Sequence, residues 1–214
     1  MTIMASETKM KNGRKLIFQL TFGGLIGGVA SYFGLNIVNA KAMATDQLIV
    51  SAVGLIYLLM GLIVGFGLFA PKLGSNILNV EDANEINEQR RILTGSTICM
   101  VVLGAALIAL PLAGPNGAIS SLAGFGGLVA SLLVLIVISI RDWKYYDEMM
   151  MQLSRDAGNI AFCGVGGALL IWASAAALEL APAPTPLALV ATIMGGFLLS
   201  IFVASARRGL LIPR

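Results

Sequence analysis

The side chains that most often carry chemistry are sparse in this sequence, and one kind is missing. There is no histidine, which removes the commonest general base and the commonest transition-metal ligand. Histidine-ligated haem, zinc-protease schemes and Ser-His-Asp triads in their usual forms go with it. The two cysteines, Cys99 and Cys163, stand too far apart for a metal motif and make no disulfide framework. Each reads as a small buried hydrophobe. No Gly-x-Ser-x-Gly, phosphate-binding glycine loop or Cys-x-x-Cys occurs.

Carboxylates are what remains. Glu81, Glu85 and Glu88 fall at i, i+4 and i+7, an acidic row along one helix face. Such a row can hold a divalent cation or dock a basic partner; it can equally be a solvated face, complemented by Arg155 or Lys144. Asp142, Asp147, Glu148 and Asp156 gather in another short stretch, where a carboxylate-only membrane enzyme would need them. Glu179 is the single acid inside a long apolar run, at its end beside Pro182. It is either an interfacial carboxylate or a port or coupling group for a solute. From these residues we expect no catalytic site, no bound cofactor and no metal, and hence no enzyme.

The positive signal is glycine. Gly23 and Gly27, then Gly24 and Gly28, stand four apart in the first apolar run; Gly61 and Gly65 repeat the spacing in the second. Gly127 with Ser131, Gly164 with Ala168, and Gly196 with Ser200 and Ala204 extend it through later runs. Helices in lipid gain little by burying apolar side chains, because lipid tails are as apolar as leucine. They associate through close backbone approach, which small residues permit. These positions are therefore helix-packing candidates, within the bundle or toward another subunit.

The elements that must hold these residues follow from hydropathy. Of 214 residues, 57% are hydrophobic and 12% charged, with a mean hydropathy of +0.89. The charged share is about half that of ordinary soluble domains, and a soluble fold of this size cannot hide so much apolar surface. Crossing a bilayer core of about 30 Å takes roughly 20 apolar residues as a helix. Six segments qualify: 16–38, 48–70, 92–112, 119–140, 160–180 and 187–206. Their apolar runs are continuous rather than alternating, which argues against a β-barrel. The expected fold is an all-α integral membrane protein, a bundle of six transmembrane helices over 16–206. A basic arm (1–15) precedes it and a basic tail (207–214) follows.

Charge orients the bundle. Lys9, Lys11, Arg14 and Lys15 precede the first span. Lys72, Arg90 and Arg91 follow the second, Arg141, Lys144 and Arg155 the fourth, and Arg207, Arg208 and Arg214 the sixth. Only Lys41 falls on the other side. Both termini are therefore expected in the cytoplasm. A rival reading takes Val38-Asn39-Ala40 as a signal-peptide cleavage site, but 23 apolar residues exceed the usual 7–15. The outer connections, 113–118 and 181–186, are short and rich in turn-formers. The inner ones should extend the spans as helices, with Asn79 as an N-cap. A stripe of Trp143, Tyr146, Met150, Leu153 and Ala157 along one helix would present a partner surface. A weak internal repeat, in which Phe22-Gly-Gly-Leu recurs at Phe125, would suit an inverted-repeat transporter.

Two functions suit this pattern. One is a non-catalytic subunit or assembly component of a membrane complex, its partners being the lipid bilayer and other membrane subunits or itself. The other is a small solute transporter or channel acting as an oligomer. Nucleic acid is not an expected partner. Compact loops and the lack of an Asn-x-Ser/Thr sequon point to a bacterial cytoplasmic membrane.

Overall fold

A computed structural model describes residues 43–70, 87–114 and 117–210. Within them the chain is helical, with no β-strand beyond an isolated bridge between Ala113 and Ile119. Five helices follow one another: α1 (Thr45–Phe69), α2 (Arg90–Ala109), α3 (Ser121–Asp142), α4 (Glu148–Ala177) and α5 (Pro186–Arg207). Short 3-10 turns at Leu110–Leu112 and Trp143–Tyr145 close α2 and α3. All five are long and apolar enough to cross a membrane, with mean hydropathies from 1.9 to 2.5 over their most apolar stretches. The expected first span, 16–38, and its glycines Gly23, Gly24, Gly27 and Gly28 lie outside the described residues, as do Glu81 and Glu85.

Helices α3, α4 and α5 start where the sequence offers a side-chain cap. Ser120 accepts from the Ala123 amide (3.3 Å), Asp147 from Met150 (2.6 Å) and Thr185 from Ala188 (3.1 Å). Each satisfies one of the amides a first turn leaves unpaired. Pro186 at the first position of α5 needs no donor there. The connections before α3 and α5 are short. In one of them, the Ile119 amide donates to Leu112 and the Gly114 amide to Ile119, closing the loop before α3.

Packing runs α3–α2–α1–α5–α4. Helices α1 and α2 lie antiparallel and closest, since Gly54 faces Leu107 and Gly104, Gly61 faces Val101, and Gly65 faces Thr97. Helix α5 runs parallel to α1: the Tyr57 hydroxyl donates to the Met194 carbonyl (3.0 Å), and Thr185 donates to Asp46 (2.7 Å) at their shared starting end. Helix α4 returns antiparallel along α5, with Val165 against Gly196. The core is correspondingly small: Val50, Tyr57, Leu103, Leu107, Ala191 and Leu198.

Outside that core the surface is apolar. Phe162 is 81% exposed and Ile140 73%, a pattern that water penalises and hydrocarbon does not. Helices α3 and α4 are the least covered. With alternating directions, the described Lys and Arg residues all fall at one end of the bundle: Arg90, Arg91, Arg141, Lys144, Arg155, Arg207 and Arg208. The opposite end carries only Asp46 and Glu179 among the described charged residues.

Helix α4 starts at Glu148, ahead of the apolar run expected at 160–180, because Asp147 caps it and the polar stretch at 152–159 continues the same helix, an extension of the kind expected for the inner connections. Thirty residues make about 45 Å of helix, well beyond a bilayer core. Two expectations change. The stripe from Trp143 to Ala157 does not exist as one face, since Trp143 and Tyr146 precede that cap while Met150 follows it. Glu179 lies beyond α4 rather than inside a span.

Candidate functional site

The densest polar geometry lies at the basic end, where α2 begins and α3 stops. Asp142 is 2% exposed, although a carboxylate rarely stays so buried without partners. Arg141 grips it with two hydrogen bonds, Nε to Oδ1 (2.8 Å) and Nη2 to Oδ2 (2.9 Å). From across the helix pair Arg91 donates through Nε to Oδ1 (3.4 Å). Arg91 also donates through Nη1 to the Tyr145 hydroxyl (2.7 Å) and lies 4.1 Å over that ring. The carboxylate reaches α2 because residue 95 is glycine: a Cβ there would stand 2.5 Å from Asp142 Oδ2. Burial, and then the charge of Asp142, push the nearby Tyr146 phenol above its ordinary range.

This knot runs against the helix dipoles. Arg90 and Arg91 occupy the first turn of α2, where the dipole favours anions, and Asp142 ends α3, where it favours cations. Mutual pairing offsets part of that cost. Arg90 makes no ion pair with a described residue. An open cleft of about 560 Å³ lies over the knot, lined by Asn87, Glu88, Arg90, Arg91, Thr94, Ile98 and Arg141. Glu88, the described member of the expected acidic row, thus sits on the rim of a cationic cleft.

An ion pair joins the two inner connections at Arg91 and Asp142, and none between Glu88 and Arg155 or Lys144 occurs among the described residues. Asp156 pairs with Arg208, the C-terminal cap of α5, which also donates to Gln152. Trp143 is half exposed and lies beside Tyr146, with ring centroids 6.3 Å apart. Met150 sits in the first turn of α4, apart from them in the chain's course.

Glu179 has an unexpected backbone. Its φ is +60°, a region that glycine enters freely and other residues at a cost. The Leu180 amide donates to Ala175 and the Glu179 amide to Ala176, the paired bonds of a Schellman cap. Gly209 (φ +70°) closes α5 the same way, with Leu210 on Ser205 and Gly209 on Ala206. Glu179 is thus an exposed residue in a cap position usually given to glycine.

The small-residue candidates divide into two groups. Gly61, Gly65 and Gly196 take neighbouring helices, and Ser131 and Ser200 are buried with their hydroxyls on Leu128 and Gly196 carbonyls (2.7 Å each). A Cβ at Gly127 or Gly164, by contrast, would meet nothing within 4 Å among the described residues, and the same holds for Gly126, Gly166 and Gly167. Two further close contacts, Gly54 with Gly104 and Gly95 with Asp142, fall on glycines outside the four-residue spacings. Gly54 stands seven before Gly61, a same-face spacing that would have marked it.

No metal-ligating group of three or more acidic or cysteine side chains occurs among the described residues. Comparison of the chain with protein-family models, with curated proteins and with solved structures finds no match.

Proposed function

We propose that this chain is an integral membrane protein of six transmembrane helices, its basic end in the cytoplasm, that serves as a non-catalytic subunit or assembly component of a larger membrane complex. The segment 16–38 supplies the sixth helix. A bacterial cytoplasmic membrane is the favoured location.

One observation carries this reading. On α3 and α4, glycines Gly126, Gly127, Gly164, Gly166 and Gly167 make open patches with no neighbouring atoms among the described residues, while comparable glycines on α1 and α2 are filled by a partner helix. Small residues in lipid cost side-chain contacts unless another backbone lies against them. A second protein's helix would occupy these faces.

Co-purification after mild detergent extraction tests it. The wild-type chain should emerge with a defined larger complex, and Gly164→Leu should release it while leaving the five described helices folded, because no described residue contacts that site. A lone homo-oligomer that passes solute in liposomes, unchanged by Gly164→Leu, would favour the transporter reading instead.

A further inference from the structure

We propose that the cleft over Asp142 is a binding site for the phosphate of an anionic phospholipid, with an acyl chain running down past Ile98. The site depends on the bundle lying in a bilayer, not on whether it works within a complex.

Its chemistry is amphipathic in the sense a lipid requires. Arg90, Arg91 and Arg141 face one opening, and guanidinium groups match phosphate oxygens in geometry and charge. One buried carboxylate fixes two of the three: Arg141 is held by two bonds and Arg91 by Asp142 and Tyr145 together. Both remain about half exposed at the side chain (48% and 47%), so they are positioned without being used up. Arg90 contributes a guanidinium with no described ion-pair partner. One turn further along α2 the lining becomes Thr94, and a turn beyond that Ile98, which is 41% exposed. Cations at the interface above an apolar wall form the kind of basic pocket between transmembrane helices that takes an acidic headgroup.

The dipole argument points the same way. Cations in the first turn of α2 oppose the helix dipole, and a phosphate placed among them would satisfy both the arginines and the amide-bearing helix start. Glu88 on the rim works against an anion. Its removal should therefore tighten binding.

The test uses the full chain in phosphatidylcholine vesicles, with Trp143→Phe and Trp172→Phe and with Ile98→Trp as reporter. Tail-brominated phosphatidylglycerol should quench that reporter more than tail-brominated phosphatidylcholine at the same membrane fraction. Arg90→Gln should cut the preference about fivefold, and Glu88→Gln should raise it. Because Arg90 pairs with no described carboxylate, Arg90→Gln should keep its helical signal and its elution volume, which separates lost binding from lost fold. Equal quenching by the two lipids would overturn the proposal. So would a preference untouched by Arg90→Gln, or one abolished by millimolar inorganic phosphate, which would mark a site for a soluble anion. A crosslink from position 98 to residues 81–85 that excludes lipid would also overturn it, by showing that the chain's own acidic segment fills the cleft.

Discussion

Replacing Gly104 with alanine should drive α1 and α2 apart. The added Cβ would stand 2.6 Å from the Leu58 amide nitrogen, 2.7 Å from the Gly54 carbonyl oxygen and 3.0 Å from Leu58 Cα. All three are backbone atoms of α1, so no side chain can swing aside. Ordinary contact begins at 3.4 Å, and the helices must separate by roughly 0.8 Å to restore it. A gap of that size forfeits a quarter to a half of the dispersion energy of contacts along the seam. The expected loss is about 1–3 kcal/mol. Alanine's better helix propensity works the other way by up to about 1 kcal/mol, so Gly164→Ala, where a Cβ meets no described residue, serves as the reference. Unfolding in mixed micelles, titrated with a denaturing detergent and followed by circular dichroism, measures both. The difference between the two variants should be about 1–3 kcal/mol; equal midpoints would refute the close approach of α1 and α2.

Other perturbations have smaller and distinct signatures in the same assay. Asp142→Asn should cost about 1–3 kcal/mol, because it leaves Arg91 and Arg141 facing each other without the carboxylate between them; no loss would mean the knot is ornamental to the α2–α3 seam. Glu179→Gly should stabilise by about 1 kcal/mol, since a φ of +60° suits glycine, and a loss instead would show that the carboxylate contributes something the cap does not need. Tyr57→Phe should cost about 0.6 kcal/mol and at most about 1.7, the range for hydrogen bonds between membrane helices, because it removes one bond between α1 and α5. A larger effect would mean that the hydroxyl has a further partner.

Much of the fold could be read from punctuation. The run 187–206 matches Pro186–Arg207 closely because a proline fixes the start and paired arginines mark the end. The runs 48–70 and 119–140 fare similarly, bounded by Asp46 and by Arg141. The run 160–180 is the apolar part of a longer helix for a physical reason: Arg155, Asp156 and Asn159 end the apolar run, and a helix does not stop where its apolar residues do. That helix starts at Asp147, whose capping bond to Met150 is local and polar. That bond also separates Trp143 and Tyr146 from the residues they matched in period.

The site was harder to read. Arg141 and Asp142 are neighbours in sequence, and an Arg-Asp pair next to a span suggests nothing more than a solvated surface. What buries Asp142 is Gly95, on another helix, whose missing side chain leaves room for the carboxylate. Spacing within one helix cannot reveal a vacancy shared between two. Glu179 misled for a related reason, since composition placed it in an apolar run while the backbone had already turned out of the helix.

The central claim is that the short loops lie on one side of a membrane and the arginine-rich ends on the other. In a chain carrying Cys99→Ala and Cys163→Ala, single cysteines placed by Ala118→Cys, Pro184→Cys or Glu148→Cys report the two sides directly. A membrane-impermeant maleimide applied to intact cells should label positions 118 and 184, and should label 148 only after the membrane is opened. Labelling of 148 in intact cells, or equal labelling of all three, would contradict the account.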